Sequence, residues 1–265
     1  MQILSNKVSR LYIGLAAFFL TNAIVAEFMG VKIFSLEETL GLTTIEFNLF
    51  GETIRGINFT CGVLLWPFVF VMTDIVNEYF GVKGVRFLSN MAAVMIGYAF
   101  FMLYAAMNVA PAGWWIFSSD YAAALDMDKA YNAVFGQGLA IILGSLTAFL
   151  VGQLVDVYVF QKLKQITGEK WIWLRATGST VVSQLIDSFI VLFIAFYLAR
   201  WGKPNQWSWS LLFAVGTVNY IYKFLMAILM TPVIYGVHSF IDNYLGETVS
   251  AELRNQALLG KVDVK

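Results

Sequence analysis

Six runs of mostly apolar residues recur along the chain, at about 11–29, 58–80, 86–109, 135–161, 177–200 and 208–237. A helix of about twenty residues spans the roughly 30 Å hydrocarbon core of a bilayer. A chain that repeats such runs has few other ways to bury them. Composition agrees: the 265 residues are 59% hydrophobic and only 13% charged, where soluble domains carry about 25% charged residues. The charged skin that a soluble protein of this size needs is missing. The sequence therefore predicts an all-α integral membrane protein with six transmembrane helices in a single domain, residues 1–265.

Lys7 and Arg10 precede the first run, a layout that resembles a secretory signal. The run continues through Ala26 without an A-x-A site, so it is read as a retained first helix. The 17 basic and 17 acidic residues cancel, which gives no electrostatic reason to expect a nucleic acid partner. A lone cysteine, Cys61, excludes an internal disulfide and makes a poor start for a thiolate metal site. The single histidine, His238, sits near the end of a run and is read as interfacial. No residue set calls for a cofactor or a metal, and no G-x-S-x-G phrase points to a serine hydrolase.

Lysine and arginine counts orient the chain. Lys7, Arg10, Lys83, Arg86, Lys162, Lys164, Lys170, Arg175, Arg254, Lys261 and Lys265 fall on the side of the termini, against Lys32, Arg55, Lys129, Arg200 and Lys203 on the other. Both termini are thus predicted in the cytoplasm. The connector 30–57, with Glu37, Glu38, Glu46 and Glu52, and the connector 111–134, with Asp120, Asp126 and Asp128, read as solvated loops.

Two matching phrases interrupt the apolar runs: GQLVDVYVF at 152–160 and SQLIDSFIV at 183–191. Ionisable groups inside a span are costly and face a bundle interior or a cavity. Gln153 and Asp156 are three residues apart and share a helix face, as do Gln184 and Asp187, while Asn219 and Lys223 are four apart. Asp74, Asn77 and Glu78 form a further polar stripe, with Glu78 close enough to Lys83 and Arg86 to read as a boundary charge. At about 1.5 Å of rise per residue, Asn22, Asp187 and Lys223 come out roughly 15–20 Å deep, with Asn219 one turn outward from Lys223, so that these four could meet near the midplane, and Asp74 and Asp156 lie nearer the cytoplasmic end. Five acids, Glu27, Asp74, Glu78, Asp156 and Asp187, face one lysine within the predicted spans. A cavity open to water would hydrate them; a proton-linked cycle would also account for the excess, but the sequence does not demand one.

Longer phrases carry a resemblance. WPFVFVMTDIVNEYFGVKGVRF (66–87), QLVDVYVFQKLKQITGEKWIWLRATGSTVVSQLIDSFI (153–190), NYIYKFLMAILMTPVIYG (219–236) and TNAIVAEFMGVKIF (21–34) look like the queuosine precursor transporter family, also called the vitamin uptake transporter-like family. The T-D-x-x-N-E-x-x-G and W-x-R-x-x-G-S-T-x-x-S-Q-x-x-D phrases are the specific ones. The resemblance implies a six-helix fold similar to the S components of energy-coupling factor transporters. It also implies import of 7-cyano-7-deazaguanine and 7-aminomethyl-7-deazaguanine through the inner membrane, without a dedicated ATPase module. The alternative is an S-component-type binding subunit for a vitamin-like molecule that does need one. The partners expected are a small planar purine-like substrate and membrane lipid, with room for a homo-oligomer. On this reading Asp187 supplies a carboxylate to the base's N–H edge, as in base-edge readout, with Asn22, Gln184, Asn219 or Lys223 as donors. Asp74, Gln153 and Asp156 are further candidates along the path.

Overall fold

A computed structural model describes residues 6–117, 125–136, 139–167 and 171–260. Asp120, Lys170, Lys261 and Lys265, which entered the loop and charge readings, lie outside the described residues. The chain is mostly helical. Helix α1 is Lys7–Met29. Four short strands follow: β1 (Ile33–Ser35), β2 (Glu46–Leu49), β3 (Glu52–Arg55) and β4 (Asn58–Thr60), with the one-turn helix α2 (Leu36–Thr39) between β1 and β2. Then come α3 (Trp66–Met107), the short α4 (Gly113–Ile116), α5 (Met127–Gly136), α6 (Leu139–Thr167), α7 (Ile172–Leu192), α8 (Trp209–Leu229), α9 (Thr231–Leu245) and α10 (Glu247–Leu258). A π-helical turn, Phe193–Leu198, extends α7.

Among the described residues, five helical stretches are long and apolar enough to cross a membrane. The expected second and third spans are two helices joined end to end across a kink at Gly81, without a loop between them. α3 runs 42 residues, about 63 Å at 1.5 Å per residue, twice the thickness of a bilayer core. Its only non-helical residue is Gly81, at φ 68° and ψ −170°. That left-handed φ favours glycine, and a Cβ there would also stand 3.0 Å from the carbonyl oxygen of Ala257 on α10.

Other boundaries shift too. The second span was expected from residue 58, but Asn58–Thr60 pairs with β1, Cys61–Leu64 forms a 3-10 turn, and Pro67 starts the helix, where its missing N–H costs nothing. The connector 30–57 is an ordered pair of two-stranded sheets, β1 with β4 and β2 with β3. In it Glu37 is buried and both its oxygens accept the Ile57 N–H at 2.9 Å, so it is not loop surface.

The helices pack chiefly as α6 on α7, α1 on α3, α7 on α8 and α10 on α3. The centre of this arrangement is the first half of α3, where every residue from Val71 through Gly81 is buried. Phe19 and Ala23 of α1, Phe149 and Phe160 of α6, and Ile234 and Ile241 of α9 join Ile75, Val76, Tyr79 and Phe80 in one apolar core. The outer faces of the long helices expose Phe87, Phe101, Leu143, Leu154, Leu225 and many similar side chains, as lipid-facing surfaces do.

Candidate functional site

α3 buries a polar spine, Thr73–Asp74 and Asn77–Glu78, that no soluble core would carry without partners. The part nearer Gly81 is saturated. Arg175 Nε donates to Glu78 Oε2 at 3.0 Å and Nη2 to Oε1 at 2.7 Å; Lys164 Nζ donates to the Glu78 carbonyl at 2.9 Å and lies 3.3 Å from Oε2. All three side chains are almost fully buried. Glu78 is thus the hub of an ion triplet rather than a boundary charge. Arg175, expected in a loop, lies inside α7, which begins five residues before its predicted start. One residue on, the Tyr79 hydroxyl is 2.9 Å from His238 Nδ1 and donates to Asp242 Oδ1 at 2.9 Å. His238 is therefore buried in the bundle, not interfacial, because the 3.6-residue turn of α9 points it inward with Ile234 and Ile241.

One turn towards the N-terminus of α3, the chemistry changes. A cleft of about 500 Å³ of unfilled space, counting its open mouth, lies between the start of α3 and helices α7, α8 and α9. Trp66, Phe70 and Asp74 line it from α3, each four residues from the next and so on one face. Thr180 and Gln184 line it from α7, and Tyr222 and Lys223 from α8. The rest of the wall is apolar, including Met226, Met230 and Ile234.

Three polar atoms on this wall are buried and have no protein partner: Asp74 Oδ1 and both amide atoms of Gln184. Asp74 Oδ2 is held weakly, by the Thr180 hydroxyl at 3.5 Å. A buried polar group without a partner costs about 1–3 kcal/mol, and such groups clustered on one cavity wall are binding groups in waiting. At the same wall, Lys223 forms an ion pair with Asp187. Both side chains are partly exposed, at 19% and 15%, so the lysine remains within reach of the cleft.

The structure thus brings Asp74, Gln184 and Lys223 together, with Asp187 behind the lysine. Gln153 and Asp156 sit beside this group, on α6. Gln153 Nε2 donates to Thr73 Oγ1 at 3.2 Å and accepts from Ser89 at 3.4 Å, while Asp156 Oδ1 accepts from Ser183 at 3.1 Å. Neither lines the cleft. Asn22 donates to the Phe18 carbonyl of its own helix at 2.8 Å, and Asn219 lies one turn from Lys223; neither reaches the cleft wall. Sequence reasoning did not single out Thr180, Trp66, Phe70 or Tyr222. The signal was there: Thr180 is four residues before Gln184, and the aromatic pair Trp66–Phe70 leads to Asp74 at the same spacing.

A many-helix body with lipid-compatible outer faces and a mostly apolar cleft carrying a few polar groups defines the class as a polytopic membrane protein able to hold a small molecule. Comparison with known proteins narrows it. The family described as "Putative vitamin uptake transporter" matches residues 60–237, the stretch that holds all the cleft residues. A "Probable queuosine precursor transporter" of Bacillus subtilis is 31% identical over 213 residues, covering 77% of this chain and 83% of that protein. The "Queuosine precursor transporter" of Escherichia coli is 30% identical over 188 residues, covering 70% and 75%. A "Probable queuosine precursor transporter" of Haemophilus influenzae is 28% identical over 182 residues, covering 67% of each. The chain belongs to the vitamin uptake transporter family, and is a multi-pass protein of the inner membrane. Its relatives are named as transporters and not as enzymes. No solved structure matches the chain.

Proposed function

We propose that the chain imports queuosine precursor bases, with 7-cyano-7-deazaguanine and 7-aminomethyl-7-deazaguanine as substrates, and works without a dedicated ATPase. The observation that carries this reading is the set of unpartnered atoms, Asp74 Oδ1 and the Gln184 amide, on the wall of an otherwise apolar, aromatic-ended cleft. A deazaguanine presents an N1–H and an exocyclic amine side by side, and one carboxylate accepts both, the logic by which side chains read base edges. Asp74 takes that role. The amide of Gln184 both donates and accepts, and the Lys223 ammonium, steadied by Asp187, offers a donor to the O6 carbonyl. Trp66 and Tyr222 supply flat faces for a planar heterocycle, whose stacking is worth about 1–3 kcal/mol per base. Gln153 and Asp156 brace the α3–α6–α7 junction behind Asp74.

The same reading has the chain cross the membrane six times as one domain, with both termini cytoplasmic and a fold like that of the S components. α3 crosses twice and turns at Gly81. Lys83 and Arg86, just past the turn and both exposed, suit a cytoplasmic boundary.

The test is uptake of the labelled bases by cells that lack their own importer and biosynthesis. Wild-type chain restores uptake. Asp74→Asn, which keeps the shape but loses the charge, is expected to weaken base affinity about 10- to 150-fold, the loss of a hydrogen bond to a charged group of about 1.5–3 kcal/mol. Normal uptake by a well-expressed Asp74→Asn protein overturns the site. Transport by the purified chain alone in liposomes supports solitary action; copurification with an ATPase that transport requires overturns it in favour of a capture subunit.

A further inference from the structure

Gln153 of α6 touches both halves of α3. Its Nε2 donates to Thr73 Oγ1 at 3.2 Å, and its Oε1 accepts from Ser89 Oγ at 3.4 Å. Thr73 and Ser89 stand eight residues to either side of Gly81. The chain therefore folds back at the kink, and both halves pass α6 at one level. The returning half leaves a groove against α6, with about 490 Å³ of unfilled space counting its open mouth. Ser89 and Gln153, both buried, form its floor. Arg86 and Asn90, one turn apart and exposed, line it from α3; Leu150 and Leu154, also one turn apart, line it from α6.

Polarity is graded along this groove, in the same direction on both helices. On α6, Leu150, Leu154, Tyr158 and Lys162 follow one another at four-residue spacing and so form one stripe. It passes from aliphatic to phenol to ammonium, and the Lys162 Nζ lies 5.8 Å from the centre of the Tyr158 ring. On α3 the stripe Arg86, Asn90, Val94 runs from guanidinium to amide to an exposed aliphatic side chain, away from Gly81. Lys83, Arg86 and Lys162 are all exposed at the charged end. Among the described residues no carboxylate pairs with any of the three; the acids pair instead with Arg55, Lys129, Lys164, Arg175, Lys223 and Arg254.

We propose that this groove binds one anionic phospholipid, with its phosphodiester on Arg86 and Asn90 and an acyl chain laid along Leu150 and Leu154. The site does not depend on which solute the cleft takes. Basic pockets between membrane helices accept anionic headgroups, and a guanidinium grips a phosphate through two parallel N–H donors. Arg86 is five residues from the kink, about 7.5 Å along the helix, so the charged end of the groove sits at headgroup level and the aliphatic end lies deeper. Charge complementarity selects the occupant. A zwitterionic headgroup brings an ammonium that three unpaired cations repel. A free phosphate leaves the aliphatic half of the groove unfilled. A second copy meeting this face about a two-fold axis presents the same patch, and so sets like charges against each other. The floor links the site to the bundle: Gln153 joins the groove to Thr73, the neighbour of Asp74.

The experiment uses the purified full chain, delipidated in detergent. Native mass spectrometry reads the dissociation constants of dioleoylphosphatidylglycerol and of dioleoylphosphatidylcholine, which share their acyl chains, and inorganic phosphate serves as a competitor. The wild type is expected to hold one phosphatidylglycerol about tenfold or more tighter than phosphatidylcholine. Arg86→Gln is expected to weaken phosphatidylglycerol about tenfold or more and leave phosphatidylcholine unchanged. Arg86→Lys, which keeps the charge and loses the fork, is expected to fall between. Lys83→Gln and Lys162→Gln are expected to cost about fivefold each, and they cover the case in which the Arg86 variants do not fold. Equal affinity for the two lipids overturns the proposal, as does an affinity unmoved by any of these substitutions. Displacement of phosphatidylglycerol by millimolar inorganic phosphate assigns the groove to a free anion and overturns the lipid. Asn90→Cys in a Cys61→Ser background that cross-links to its own copy in membranes assigns the groove to a second copy and likewise overturns it.

Discussion

Asp74 and Glu78 stand one turn apart on α3, both buried, in opposite circumstances. Glu78 has two cations and accepts through both carboxylate oxygens. Asp74 has a weak hydroxyl contact on one oxygen and nothing on the other. The first arrangement is complete, so it fixes α3 against α6 and α7 and has nothing left to offer a ligand. The second is incomplete and opens on a cleft. Saturation separates the structural carboxylate from the one proposed to bind, although both are carboxylates and the structure buries them almost equally.

The sharpest way to break this comparison is to truncate each member. Glu78→Ala removes the buried carboxylate that Arg175 and Lys164 share, which is expected to cost about 3–5 kcal/mol. The readout is a collapse in the yield and thermal stability of the detergent-solubilised protein. Asp74→Asn should leave that stability intact while base affinity falls. The reverse pattern, a stable Glu78→Ala and a collapsed Asp74→Asn, would reverse the two roles.

Gln184→Ala sharpens it further. The amide has no protein partner to lose, so thermal stability should hold or rise, while affinity for the base drops roughly tenfold for the loss of about 0.5–1.5 kcal/mol per neutral hydrogen bond. Equilibrium binding and a melting curve on the same preparation check both halves. Gly81→Ala tests the turn at the saturated end. A positive φ and a Cβ pressed on the Ala257 carbonyl are expected to cost about 1–3 kcal/mol, read as protease sensitivity of α10 without a change in base affinity.

The smallest effect lies outside the bundle. Glu52 on β3 accepts from Ser210 and from Ser208, the N-cap of α8. The Ser210 hydroxyl first, then that of Ser208, holds the half-buried carboxyl below the ordinary Glu range. A depressed folded-state value contributes stability above the unfolded value of about 4.3 and loses it as pH falls through the depressed value. The protection factors of the β2 and β3 amides, which correct exchange for its intrinsic pH dependence, should therefore be flat from about pH 5 to 8 and fall only in acid. Glu52→Gln should remove the acid limb and leave base binding unchanged.

Much of this was legible in the residues. Long apolar runs in a chain with 13% charge demand helices in a bilayer, because only internally bonded backbone survives there. Helical spacing put Gln184 and Asp187 on one face and Lys223 opposite, and the structure pairs Asp187 with Lys223. Spacing could not say that the two halves of α3 meet at a one-residue kink instead of a loop. Continuity there depends on one backbone conformation at Gly81 and on α10 packing beneath it. Nor could it say which of the buried acids is saturated. Asp74, Glu78 and Asp156 carry the same kind of signal in sequence, and the cations that distinguish them come from residues 86 and 97 positions further on, Lys164 and Arg175.

What the sequence determined by itself is what local chemistry determines: a membrane-embedded helical chain, the faces of its helices, and the residue types able to bind a polar planar ligand. What only the tertiary structure decided is which of those residues keep unfilled hydrogen-bonding capacity. That capacity depends on partners brought from distant segments. Hence Asp74 and Gln184, rather than Glu78 or Asp187, are the groups left facing the cleft without a partner.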